Sequence, residues 1–206
     1  MRPPAPPAPP RSSRVDDVVA AARRVLDRDG PAGLTMRSVA EELGIKAPSL
    51  YKHVADKAAI EVELVAAALA EIGEALHAAL SEGGTVADLL AAYRREARCR
   101  PNLYRLATAG PLPREQLPPG LEDWAGAPFF TVTGEPHRAQ ALWSFAHGMV
   151  ILELDGRFPP GSDLERTWAE GAAAFEGEAG AAHPAGRPAG GSAAAAASAG
   201  GGPVGP

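Results

Sequence analysis

Lys46, Lys52 and Lys57 are the only three lysines of the chain, and they fall within twelve residues of one another. Ser49, Tyr51 and His53 are interleaved with them. Ammonium groups meet phosphates, while hydroxyl, phenol and imidazole groups meet base edges, so this set suits a nucleic-acid surface better than bond-breaking. The motifs of covalent or metal chemistry are missing. There is no G-x-S-x-G, P-loop, H-E-x-x-H or Rossmann glycine set, and the five histidines at 53, 77, 137, 147 and 183 lack zinc-ligand spacing. We therefore expect no enzyme activity, metal or cofactor. Cys99 is the single cysteine, which excludes an intrachain disulfide. Between Arg98 and Arg100 it could be a redox-sensing thiol, with an incidental cysteine as the alternative.

The elements that must position these groups lie in the segment LTMRSVAEELGIKAPSLYKHVADK, residues 34–57. Thr35 is a good N-cap for a helix whose Met36, Val39, Ala40 and Leu43 face inward. Gly44 permits the sharp turn that ends it, and Ile45 plugs the gap behind. Pro48 opens a short second helix, with Leu50 and Val54 on its buried side. This is the pattern of a helix-turn-helix, in which the start of the second helix faces the major groove. A helix over 14–28, stopped by Asp29-Gly30-Pro31, precedes it; a long one, capped by Asp56 and running to Leu80, follows.

Residues 14–80 resemble the DNA-binding domain of the tetracycline-repressor (TetR) family of bacterial transcriptional regulators. The resemblance is carried by the leading helix, the T-x-R-x-V-A entry, the L-G-I turn, the S-L-Y-x-H-V core and the D-K that opens the long helix. It implies roles residue by residue. Thr35 matches a phosphate-contacting hydroxyl, and Arg37 a residue that reaches a base edge, where bidentate pairing with guanine is the expected chemistry. Ala47, Pro48 and Ser49 match the start of the recognition helix, Tyr51 a tyrosine spanning bases and backbone, and His53 and Lys57 phosphate clamps. Lys46 and Lys52 are further groove or backbone candidates. Ala47 departs from the pattern because it cannot make the bidentate adenine contact of a glutamine, so the operator sequence does not transfer. Taken singly, Tyr51 could pack on the first helix, His53 could favour a helix C-terminus, and Arg37 could be solvated.

Beyond residue 80 the pattern predicts helices over 86–98, 101–106, 135–155 and from Ser162 or Asp163 to Phe175, with only broken helical turns over 110–134. Trp143-Ser144-Phe145-Ala146-His147-Gly148 resembles the W-x-x-x-H-G element of one C-terminal subclass of the same family. The resemblance implies a domain that binds a small-molecule effector and dimerises. Tyr93, Arg94, Asn102, Tyr104, Trp124, Phe129, Trp143 and His147 are the pocket candidates, against an ordinary core as the other reading. Met149, Leu164, Trp168 and Phe175 are the dimer-interface candidates, again against an intramolecular core.

Composition bounds the rest. No run reaches the ~18 apolar residues of a membrane span. Residues 1–57 carry net +3 and residues 58–206 net −8, a basic end on an acidic body whose total is −5. The expected fold class is all-α: a disordered Pro-rich arm (1–13), a three-helix DNA-binding head (14–57), an α-helical regulatory and dimerisation body (58–176) and a disordered Gly/Ala/Pro tail (177–206). The expected function is a cytoplasmic, ligand-responsive repressor that binds double-stranded operator DNA as a homodimer and is released by a small molecule. The alternative is a helical interaction or ligand-binding domain without sequence-specific DNA binding.

Overall fold

The computed structural model describes residues 3–7 and 12–176; the expected tail and residues 1–2 and 8–11 lie outside the described residues. In chain order come α1 (Ser13–Gly33), α2 (Met36–Glu42), α3 (Ala47–Leu50), α4 (Lys57–Leu80), α5 (Val86–Cys99), α6 (Pro101–Thr108), α7 (Leu121–Thr133), α8 (Pro136–Leu154) and α9 (Leu164–Glu176). No strand occurs among the described residues. Short polar side chains set the helix starts. Asp56 accepts from the Ala59 amide at 2.8 Å, Thr85 and Asp88 form a reciprocal capping box, and Glu135 takes the amides of His137 and Arg138. Asp163, rather than Ser162, caps α9 by accepting from the Arg166 amide at 3.0 Å.

Three apolar clusters organise the molecule. In the head, Val18, Ala22, Val25 and Leu26 of α1 pack with Val39, Leu50 and Val54. Ile60, Leu64 and Ala68 of α4 and Leu103 of α6 complete that same cluster. The body's cluster joins Leu76, Leu89, Leu90, Tyr93, Tyr104, Phe129, Leu142, Ala146, Val150 and Trp168. A third lies between α4 and α7, around Val65, Ala66, Leu121 and Trp124. Thus α4 contributes to all three, and the head ends part-way along it rather than before it.

The expected broken turns over 110–134 are replaced by the 13-residue helix α7. Pro118-Pro119-Gly120 and the internal Gly126 and Pro128 obscured it, since proline removes a helical hydrogen bond. The structure supplies a substitute. Pro128 cannot donate to the carbonyl of Trp124, and His77 Nε2 of α4 donates to that carbonyl instead, at 2.9 Å. A second case lies at the end of α1, where the backbone kinks at Gly30 (φ 72°) and continues through Pro31. Pro31 leaves the carbonyl of Asp27 without its i+4 donor, and Asn102 Nδ2 at the start of α6 donates to it at 3.1 Å. Each proline-freed carbonyl has become a joint between elements.

Candidate nucleic-acid interface and effector site

The turn after α2 has the hydrogen bonds of a Schellman motif. The Gly44 amide donates to Glu41 and the Ile45 amide to Ala40, both at 3.0 Å, with Gly44 at φ 67°. Ile45 packs against the head's core, as do Leu43 and Ala47, while Leu50 is fully buried. The opposite side of the same segment faces water. Lys46, Pro48, Tyr51, Lys52 and His53 are exposed, Tyr51 by 55% despite its ring, and Ser49 and Lys57 are half-buried. No carboxylate occurs from Leu43 to Ala55, so this strip carries only positive or neutral groups. More than half of Tyr51 is open to water, and this exposure is the feature that sequence could not decide.

Several predicted contacts are engaged within the head. Thr35 Oγ1 accepts from the Ser38 amide at 3.0 Å, and the Ser38 hydroxyl in turn accepts from the Thr35 amide at 2.9 Å. Arg37, 85% exposed at its side chain, pairs with Glu41 at 2.8 Å, and that partner raises its pKa above the usual guanidinium value. Lys57 pairs with Glu61 at 3.1 Å. These exposed i, i+4 pairs are weak and separable, so both cations can exchange a carboxylate for a phosphate or base edge.

In the body, five of the eight pocket candidates meet. Tyr93 OH lies 2.9 Å from Tyr104 OH, which lies 2.8 Å from His147 Nδ1. Phe129 packs edge-on to Tyr93, and Trp143 stacks on His147 with centroids 5.8 Å apart. Burial pushes the Tyr93 phenol up to about 12, offset in part by its hydrogen bonds with Tyr104 and Trp143. Burial raises Tyr104 as well and lowers the imidazole of His147, which is therefore neutral at neutral pH. If Tyr93 donates to Tyr104 and Tyr104 to Nδ1, every hydroxyl proton has an acceptor and the proton of His147 rests on Nε2. Trp143 is 47% exposed, so the outer end of this chain reaches the surface at an aromatic ring.

The other three candidates lie elsewhere. Arg94 pairs with Glu153 at 2.9 Å and Glu165 at 2.7 Å and sits 5.6 Å over the Trp168 ring, joining α5, α8 and α9. Asn102 is the head–body joint described above. Trp124 faces α4, where its ring lies tilted against His77 with centroids 4.7 Å apart. Of the dimer candidates, Met149 and Trp168 are buried in the protomer's own core, and Leu164 and Phe175 pack against it. Their apolar character is already satisfied there, which leaves little of Met149 or Trp168 for a second copy. Sequence reasoning also missed the ion pairs that Glu71 of α4 makes with Arg23 of α1 at 3.1 Å and Arg100 at 3.0 Å. No periodicity marks such long-range pairs.

A helix-turn-helix head with an exposed recognition strip, set on a helical body, defines a DNA-binding transcriptional regulator. Residues 18–64 match the family described as bacterial regulatory proteins, tetR family, and residues 86–175 match the tetracyclin repressor-like C-terminal domain. An uncharacterised HTH-type transcriptional regulator of Mycobacterium tuberculosis, Rv0681, is 30% identical over 154 residues, 68% of this chain and 70% of that protein. The class E tetracycline repressor protein of Escherichia coli is 42% identical over 57 residues, 28% of this chain and 27% of that protein. A solved protein of unknown function from Rhodococcus sp. RHA1 shares the fold, with TM-score 0.67, 21% identity and coverage of 82% of this chain and 96% of that one. The chain belongs to the tetR family of bacterial regulatory proteins. Among the described residues no helix is long and apolar enough to cross a membrane, and no group of three or more potential metal ligands occurs.

Proposed function

We propose that this protein is a cytoplasmic, ligand-responsive repressor that binds a palindromic operator as a homodimer and leaves it when a small molecule binds the body. The observation that carries the DNA reading is the exposed, acid-free strip from Lys46 to His53, held by the turn at Gly44. Lys46, Lys52, His53 and Lys57 serve as phosphate contacts. Arg37, Pro48, Ser49 and Tyr51 serve at base edges, Thr35 fixes the start of α2 beside the backbone, and Ala47 seats the helix from behind. Two copies place two such strips in successive major grooves, about 34–36 Å apart.

The effector site is the chain from Tyr93 through Tyr104 to His147, with Trp143 and Phe129 as its aromatic wall. His147 Nε2–H offers one donor, which suits a carbonyl or carboxylate oxygen on an otherwise flat or apolar molecule. Trp143, His147 and Gly148 form the W-x-x-x-H-G element of this reading. Release is a population shift: a ligand that prefers the conformation with mismatched strip spacing withdraws the dimer from DNA. Selection of bound sequences from random duplex DNA tests the first half of the proposal. Recovery of an inverted repeat is expected, and enrichment of no sequence leaves only the reading of a helical ligand-binding protein. A compound screen against that DNA complex tests the second half, with His147→Phe expected to abolish release while leaving DNA affinity unchanged.

A further inference from the structure

The expected free arm is held in part. Residues 3–7 read Pro-Pro-Ala-Pro-Pro, and Trp124 Nε1–H donates to the Pro3 carbonyl at 3.2 Å. Ala5 packs on the third cluster with Val62, Leu69 and Leu112. The Trp124 ring packs against Gly73, where a Cβ would stand 2.3 Å from it. The His77 ring lies tilted against it and Nε2 donates to the Trp124 carbonyl, while the indole N–H is the donor to Pro3.

Proline-rich chain has free carbonyls and little conformational freedom to lose, so an aromatic-walled apolar groove with one N–H donor recognises it. We infer that the groove between α4 and α7 is a polyproline-recognition groove, and that its occupant is the protein's own residues 3–7, bound in cis as a strap from the start of the head to the body. The strap is independent of what the His147 site binds.

The test is hydrogen exchange of the indole N–H groups of the three tryptophans in ¹⁵N-labelled full-length protein, with Trp124→Phe assigning the Trp124 signal. Ala5→Asp puts a charge into the apolar seat without touching a helix. It is expected to speed exchange at Trp124 by about tenfold, the equivalent of one net hydrogen bond, and to leave Trp143 and Trp168 unchanged. Dilution of the wild type should not alter its rate, and millimolar PPAPPAPP peptide should restore slow exchange to the Ala5→Asp protein. Equal Trp124 rates in wild type and Ala5→Asp overturn the strap. A rate that rises on dilution overturns binding in cis, and an unresponsive indole overturns peptide recognition.

Discussion

A single methyl group at Gly44 should cost about 1–2 kcal/mol, because an L-residue there must hold the left-handed conformation. No atom lies within 4 Å to add a clash, so urea unfolding of Gly44→Ala reads backbone strain alone. On the exposed side, each lysine that neutralises a phosphate adds about 0.9 to the steepness of log affinity against log salt. Lys46→Ala with Lys52→Ala should therefore flatten that slope by about 2, measured by titration at several salt concentrations. Tyr51→Ala should weaken specific binding and leave the fold intact, since its ring is half in water. His147 gives a pH signature. Its folded pKa is depressed by burial, so the unfolded chain takes up the proton first as pH falls below about 6.5. Stability attributable to His147 is present above that pH and is lost on acidification. Unfolding at pH 7.5 and pH 5 should show a larger acid loss for wild type than for His147→Asn. Much of this was legible from residue type, as Gly44, Leu50 and Val54 stand where the sequence places them. The exposure of Tyr51 was not, because an aromatic ring on a short helix suits core or surface equally, and the engagement of Arg94 with Glu153 was not, because the partners lie 59 residues apart.

Helices meet at positions where a side chain is absent. On α9, a Cβ at Gly171 would stand 2.0 Å from the Phe145 ring of α8, whereas Gly148 on α8 has nothing within 4 Å. Gly171→Ala should destabilise by about 1–3 kcal/mol through overpacking, and Gly148→Ala should stabilise the protomer by about 0.5–1 kcal/mol through helix propensity. The proline joints predict a further pair. Asn102→Leu leaves the Asp27 carbonyl without its protein donor, as His77→Phe does for Trp124, and each should cost about 0.5–1.5 kcal/mol by thermal unfolding. Helices with a regular apolar stripe and a capping residue were readable in advance. The exception was α7, where Pro128 and Gly126 broke the pattern and the compensating donor came from position 77, beyond the reach of any local window.

For the whole molecule, the net +3 of residues 1–57 against −8 for the remainder orients the protein as it approaches DNA. The head was legible from an unbroken motif; in the body, spacing gave most of the helices, while the family was read from a resemblance. The packing between head and body was not legible, because Asn102, Glu71 and Arg100 join across long stretches of chain. One consequence concerns exchange of parts. Since α4 feeds Ile60, Leu64 and Ala68 to the head, Val65 and Ala66 to the groove and Leu76 to the body, a hybrid regulator spliced ahead of Lys57 would set a foreign α1 on native α4 and α6 partners. Transplanted specificity calls for a crossover past Ala68, with Leu103, Leu106 and Ala107 rewritten to suit the donor.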